Sequence, residues 1–148
     1  FCASLAGAQG LELPPIFASG MVLQQQTDVE LWGKARPGAR VRVRASWTKA
    51  RPETVADDRG RWSVSLRTPE AGYESRTLTV ESGRERLELT DVLIGDVWFV
   101  GGQSNMQMSF RGNPDQPIEN AQRILLRSNR PGLRLFRVEN GGLPIRNM

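Results

Sequence analysis

The chain has 148 residues, of which 39% are hydrophobic and 24% charged, with a formal net charge of +4; this composition suits one folded domain, or one small domain and part of another, better than a disordered chain. It contains one cysteine, Cys2, and no histidine, which excludes a disulfide framework and a thiolate metal cluster. No apolar stretch is long enough for a membrane span.

Residues 1–10 are small and apolar. Ala6-Gly7-Ala8 fits the small-x-small cleavage site of a secretory signal peptide, which would place the protein outside the cytoplasm, in the periplasm or secreted. A frayed terminus of small residues accounts for the same composition.

From Leu11 to Thr90 the hydrophobicity alternates with period two. Val29, Leu31 and Gly33 alternate with Glu30 and Trp32; Val41, Val43, Ala45 and Trp47 with arginines and Ser46; Trp62, Val64 and Leu66 with Ser63, Ser65 and Arg67. Leu78 and Val80, then Leu87 and Leu89, continue the pattern. Such alternation predicts half-buried strands of antiparallel sheets. Pro37-Gly38, Asp57-Asp58-Arg59-Gly60, Ala71-Gly72 and Ser82-Gly83 read as turns, the second as a hairpin turn into the Trp62 strand. Short strands with frequent turns predict a small antiparallel β-sandwich over residues 11–91.

Arg40, Arg42 and Arg44 lie at strand spacing. They form one solvated strand face, and no aromatic RNA-binding signature accompanies them, so a nucleic-acid partner is not expected. The four tryptophans suit either a sugar-stacking platform or a core; the alternation assigns at least Trp47 and Trp62 to the core.

The pattern changes at Val92. Val92–Val100 is apolar apart from Gly95-Asp96, as in a strand covered on both faces. A carboxylate there needs a partner, so Asp96 reads as a brace for the loop that follows. That loop begins Gly101-Gly102-Gln103-Ser104-Asn105-Met106. Two glycines after a strand let the backbone turn sharply and present a serine to a substrate that comes close. Ile118–Arg127 reads as a short amphipathic helix ended by Pro131-Gly132, and Leu133–Val138 as a second strand. Strand, loop, helix, strand is the opening of an α/β domain, so residues 92–148 are expected to be part of a larger catalytic domain.

Two separated stretches carry a family likeness. Leu13–Gln24, followed by Val29-Glu30-Leu31-Trp32-Gly33 and Pro37-Gly38, resembles the N-terminal β-domain of sialate O-acetylesterases. Gly95–Met106 resembles their nucleophile block, and Arg134-Leu135-Phe136 also fits. Together they cover Leu11 to Val138 in the family's order. The resemblance implies a β-sandwich followed by the truncated start of an SGNH-like α/β/α hydrolase domain. It implies hydrolysis of O-acetyl esters of sialic acid or related glycans without a metal or organic cofactor. Ser104 is then the nucleophile, in a loop of Gly102, Gln103, Ser104 and Asn105, and the Ser104 N–H is one oxyanion donor. In the family the remaining donors, the histidine base and its aspartate lie later in the sequence.

Met106, Arg111 and Asn113 are candidates for the substrate pocket; core packing and a solvated loop explain them equally well. A serine needs an adjacent base, and with no histidine the 148-residue chain alone is expected to be inactive. A non-catalytic β-sandwich that binds glycans or another partner is the alternative.

Overall fold

The computed structural model describes residues 10–102, 109, 112 and 117–138. They divide into two compact units: one holds every described strand and comprises the chain through Val97 together with the stretch from Leu135, and the other runs from Trp98 to Arg134. The chain is mostly β-sheet. Its strands are β1 (Val22–Gln24), β2 (Asp28–Lys34), β3 (Arg40–Ala45), β4 (Glu53–Val55), β5 (Arg61–Arg67), β6 (Gly72–Ser82) and β7 (Glu85–Gly95). Five form a sheet in the order β1-β7-β6-β3-β4, and β2 pairs with β5 in a second sheet. All pairings are antiparallel except β1 with β7.

Period-two patterning sets which side chains turn inward. In the smaller sheet Val29, Leu31 and Gly33 face Leu66, Val64 and Trp62 across the ladder. In the larger sheet Val41, Val43 and Ala45 are paired with Ser82, Val80 and Leu78. Leu31, Trp62 and Leu66 join Val41, Val43, Leu78, Val80, Val92 and Ile94 in one apolar cluster, so both sheets contribute to a single core. Each fully buried aliphatic side chain stabilises the folded state by about 1.5–3 kcal/mol through the hydrophobic effect.

Local chemistry fixes the edges of this core. The β6–β7 hairpin turns at Gly83, whose φ of 59° lies in the left-handed region that glycine enters without strain. Gly33 is required for a different reason. The segment around Glu12 crosses β2, exchanging main-chain hydrogen bonds with Lys34 at 2.8 and 2.9 Å. A Cβ on Gly33 would lie 2.2 Å from the Glu12 carbonyl oxygen. The buried Thr68 hydroxyl shares its hydrogen between the carbonyls of Gln24 (2.7 Å) and Thr27 (2.9 Å) and accepts from the Thr27 N–H at 3.1 Å. It therefore ties the end of β5 to the link between β1 and β2.

The arginines of β3 form an outward strand face matched by glutamates of the neighbouring strands. Arg40 and Arg42 both reach Glu53 on β4, at 3.3 and 3.1 Å, and Arg44 pairs with Glu81 on β6. Exposed pairs of this kind add about 0–1 kcal/mol each. Of the tryptophans, Trp62 is buried and Trp47 packs against the core with its Nε1–H donating to the Arg67 carbonyl at 3.0 Å. Trp32 is 45% exposed and meets the buried Phe17 edge to face, with ring centroids 4.6 Å apart.

Four local expectations are corrected. Asp57–Gly60 is not a hairpin turn: β4 pairs with β3 and β5 with β2, so this turn carries the chain from one sheet to the other. The apolar run Val92–Val100 is not one buried strand. β7 stops at Gly95 because its partners stop there, the last pairs being Gln24↔Gly95 and Gly72↔Ile94. Val92, Leu93 and Ile94 are buried, whereas Val97, Trp98, Phe99 and Val100 are exposed. The helix is only α1 (Ala121–Leu126), because Asn120 sits in the left-handed region at φ 59° and cannot extend it backwards. Leu133–Val138 forms no strand, and only Phe136 makes an isolated bridge. Among the described residues no helix is long and apolar enough to cross a membrane.

Candidate active site

The candidate site lies on the sequence that leaves β7. Gly102 is exposed and outside regular structure. Gln103, Ser104, Asn105, Met106, Arg111 and Asn113 lie outside the described residues. The described geometry is therefore that of the approach to the serine.

That approach is built from the two motif stretches that are far apart in sequence. β1 closes the Leu13–Gln24 stretch and runs parallel to the last residues of β7, in the register Val22↔Leu93, Leu23↔Ile94 and Gln24↔Gly95. Parallel neighbours need a long connection, and here it contains every other strand among the described residues. The stretch ahead of β1 is docked on the same strand. Gly20 N–H donates to the Thr90 carbonyl at 3.0 Å, Thr90 N–H to Ser19 Oγ at 2.9 Å, and Leu93 N–H to the Met21 carbonyl at 3.0 Å. The Phe17–Trp32 edge contact joins this stretch to the Val-Glu-Leu-Trp-Gly strand.

Beyond Gly95 the backbone has no further strand partner, and side chains take over. Gln24 Oε1 accepts from the Val97 N–H at 2.8 Å. Gln25 Nε2 donates to Asp96 Oδ1 at 2.9 Å, and Gln25 Oε1 accepts from the Ala71 N–H at 3.0 Å. The Gln25 N–H donates to the Gly95 carbonyl at 2.9 Å. Asp96 is exposed and outside β7 rather than buried in a strand, so the burial cost that pointed to a partner does not apply. Its carboxylate accepts from Gln25 at the exit of β7, and the serine block it was expected to brace lies outside the described residues. Gln25 was not among the sequence candidates, and Gln24 entered only as the last residue of a motif stretch. The run of three consecutive glutamines, Gln24 to Gln26, at a strand end is the signal that marks them.

On the far side of the loop, Gly112 N–H donates to the Ser109 carbonyl at 2.8 Å. Helix α1 follows with Ile124, Leu125 and Leu126 exposed.

The chain matches no protein-family model. Its sequence is 32% identical over 115 residues to sialate O-acetylesterase of Pongo abelii, a match covering 68% of this chain and 21% of that protein. The human protein of the same name is 31% identical over the same shares. A carbohydrate acetylesterase from Xanthomonas citri has a solved structure that matches with a TM-score of 0.76 and 32% identity, covering 88% of this chain and 28% of that one. The chain thus spans about a fifth of the length of the curated relatives it matches. Over the part of the family's length that it spans, the chain belongs to the sialate O-acetylesterase family.

Proposed function

We propose that the chain is part of a carbohydrate esterase that hydrolyses O-acetyl esters of sialic acid or a related glycan, with Ser104 as nucleophile. The β-domain occupies residues 11–91 and an SGNH-type α/β/α domain opens within 92–148, with β7 running through the join. The observation that carries this reading is the parallel pairing of β1 with the end of β7. It brings the family-like stretch before β1 against the strand that leads into Gly101-Gly102-Gln103-Ser104-Asn105-Met106.

In this reaction Ser104 Oγ attacks the acetyl carbonyl carbon while a base takes its proton. The tetrahedral intermediate expels the sugar oxygen, which leaves with that proton as a hydroxyl, and water then releases acetate from the acyl-serine. The Ser104 N–H is one donor to the oxyanion, and each such donor contributes about 10²–10³ in rate. Gly101 and Gly102 leave room beside the serine for the acetyl group. The chain has no histidine, so the base belongs to the part of the relatives' length that these residues do not span.

The test uses the full-length protein with O-acetylated sialic acid and acetylated xylan as substrates. Ser104→Ala should lower kcat by about 10³ or more with an unchanged circular dichroism spectrum, and the 148-residue chain should show negligible turnover. A Ser104→Ala protein that keeps its rate rules out this nucleophile. Glycan binding without any turnover by the full-length protein would mean a binding module.

A further inference from the structure

We propose that Gln24 and Gln25 are positioning residues for the nucleophile segment: together they latch the three residues through which the chain leaves β7. The proposal rests on the reading of Ser104 as nucleophile. Gly95, Asp96 and Val97 are each held by one hydrogen bond from these two glutamines, at 2.9, 2.9 and 2.8 Å. The first bond comes from the Gln25 main chain and continues the β1–β7 ladder. The other two come from side chains, at the place where the ladder has ended. Val97 precedes Ser104 by seven residues, so the latch sets where the nucleophile segment starts.

The latch is itself anchored from behind. The Thr68 hydroxyl holds the Gln24 carbonyl at 2.7 Å, and the Gln26 N–H donates to the Pro69 carbonyl at 3.0 Å. Gln25 uses both ends of its amide, donating to Asp96 and accepting from the Ala71 N–H where β6 begins. A primary amide supplies donor and acceptor on one neutral side chain. A glutamate at this position accepts from Ala71 but cannot donate to Asp96 when ionised, and it sets two carboxylates against each other.

These bonds are solvent-exposed. Water replaces them readily, and their loss moves global stability little. Their effect is local, on the geometry of the segment, and small misplacements of reacting groups lower the rate steeply. The signature is therefore a loss in kcat without a matching change in KM or melting temperature.

In the full-length protein, Gln25→Glu should lower kcat for acetyl-ester hydrolysis about tenfold, with KM and melting temperature near those of the wild type. The double variant Gln25→Glu/Asp96→Asn reverses donor and acceptor and should recover most of the lost rate. In the 148-residue chain, Gln24→Leu should speed amide exchange at Val97 by about fivefold, as loss of one hydrogen bond requires. A Gln25→Glu kcat within twofold of wild type, a double variant no better than Gln25→Glu, or an unchanged Val97 exchange rate overturns the latch. A Ser104→Ala protein that retains turnover instead overturns the reading of the nucleophile, and the Val97 exchange still reports on the latch itself.

Discussion

The strand-bearing unit and the Trp98–Arg134 unit treat apolar residues in opposite ways. Leu31 and Leu78, in different sheets of the first, are each 1% exposed, whereas Trp98, Phe99 and Leu126 of the second are 83%, 95% and 87% exposed. Both stretches carry strong hydrophobic signals in sequence. Alternation on a hairpin-rich chain brings the covering surface with it, because each strand's inward face meets the inward face of another strand nearby. A continuous apolar run asks for cover on two sides and supplies neither. Hydrophobic pattern states how much surface seeks burial; a partner within reach of the chain decides whether burial happens.

The sharpest way to break this contrast is by truncating side chains in the 148-residue chain and measuring urea unfolding. Leu31→Ala and Leu78→Ala should each lower stability by about 2–5 kcal/mol, through lost transfer free energy and the cavity left behind. Because one apolar cluster includes both residues, the two losses should be comparable although the residues lie in different sheets. Leu126→Ala should change stability by no more than about 0.5 kcal/mol. A loss at Leu126 as large as that at Leu31 would erase the distinction between the units.

The same contrast explains which parts of the molecule were legible in sequence. β2, β3 and β5 follow the alternation, since side-chain period and burial are coupled on a half-covered sheet. β1 and β4, three residues each, are too short to show a period. β1 depends on a partner distant in sequence, β7, which it meets in parallel, whereas β4 pairs antiparallel with β3, the strand just before it in the chain. The Asp57–Gly60 turn chemistry was visible, but turn residues do not say which sheet the next strand joins. At the candidate site, Asp96 was expected to need a partner as a carboxylate inside a covered strand, whereas it lies exposed beyond the end of β7; the serine block was legible as a motif. The Gln24–Gln25 latch was not, because a glutamine acquires a role only when folding brings the end of β1 to the end of β7.

A mid-sized perturbation probes the seam inside the strand unit. Gly33→Ala places a methyl group 2.2 Å from the Glu12 carbonyl oxygen and 2.9 Å from a ring carbon of Trp62. Backbone on one side and a buried indole on the other leave little room to yield. The expected loss is about 1–3 kcal/mol, as for overpacking, with faster amide exchange at Glu12 and Lys34, which bond each other across the seam. Stability equal to wild type would mean that the Glu12 segment lifts off β2 freely, and Leu11 would then not belong with the core.

The smallest effect expected is electrostatic and sits at the turn between the two sheets. Asp57 Oδ1 accepts from the N–H groups of Arg59 and Arg61 at 2.9 and 2.8 Å, and Oδ2 accepts from Arg61 Nε at 2.9 Å. Chiefly the Arg61 N–H, with smaller help from the Arg61 guanidinium and the Arg59 N–H, holds the carboxyl below its usual value of 3.8. A carboxylate whose pKa is depressed on folding adds stability above its unfolded pKa and loses it as pH falls through the folded value. Wild type should therefore melt slightly above Asp57→Asn at pH 6, since asparagine keeps the Oδ1 acceptor but not the charge. The gap should close below about pH 4, where the unfolded carboxyl titrates, and be absent once the folded carboxyl is protonated. A gap that persists at pH 2 would assign the role of Asp57 to turn shape rather than charge. Leu31→Ala, measured as a control, should keep the same deficit at both pH values, because a cavity in the core has no proton to bind.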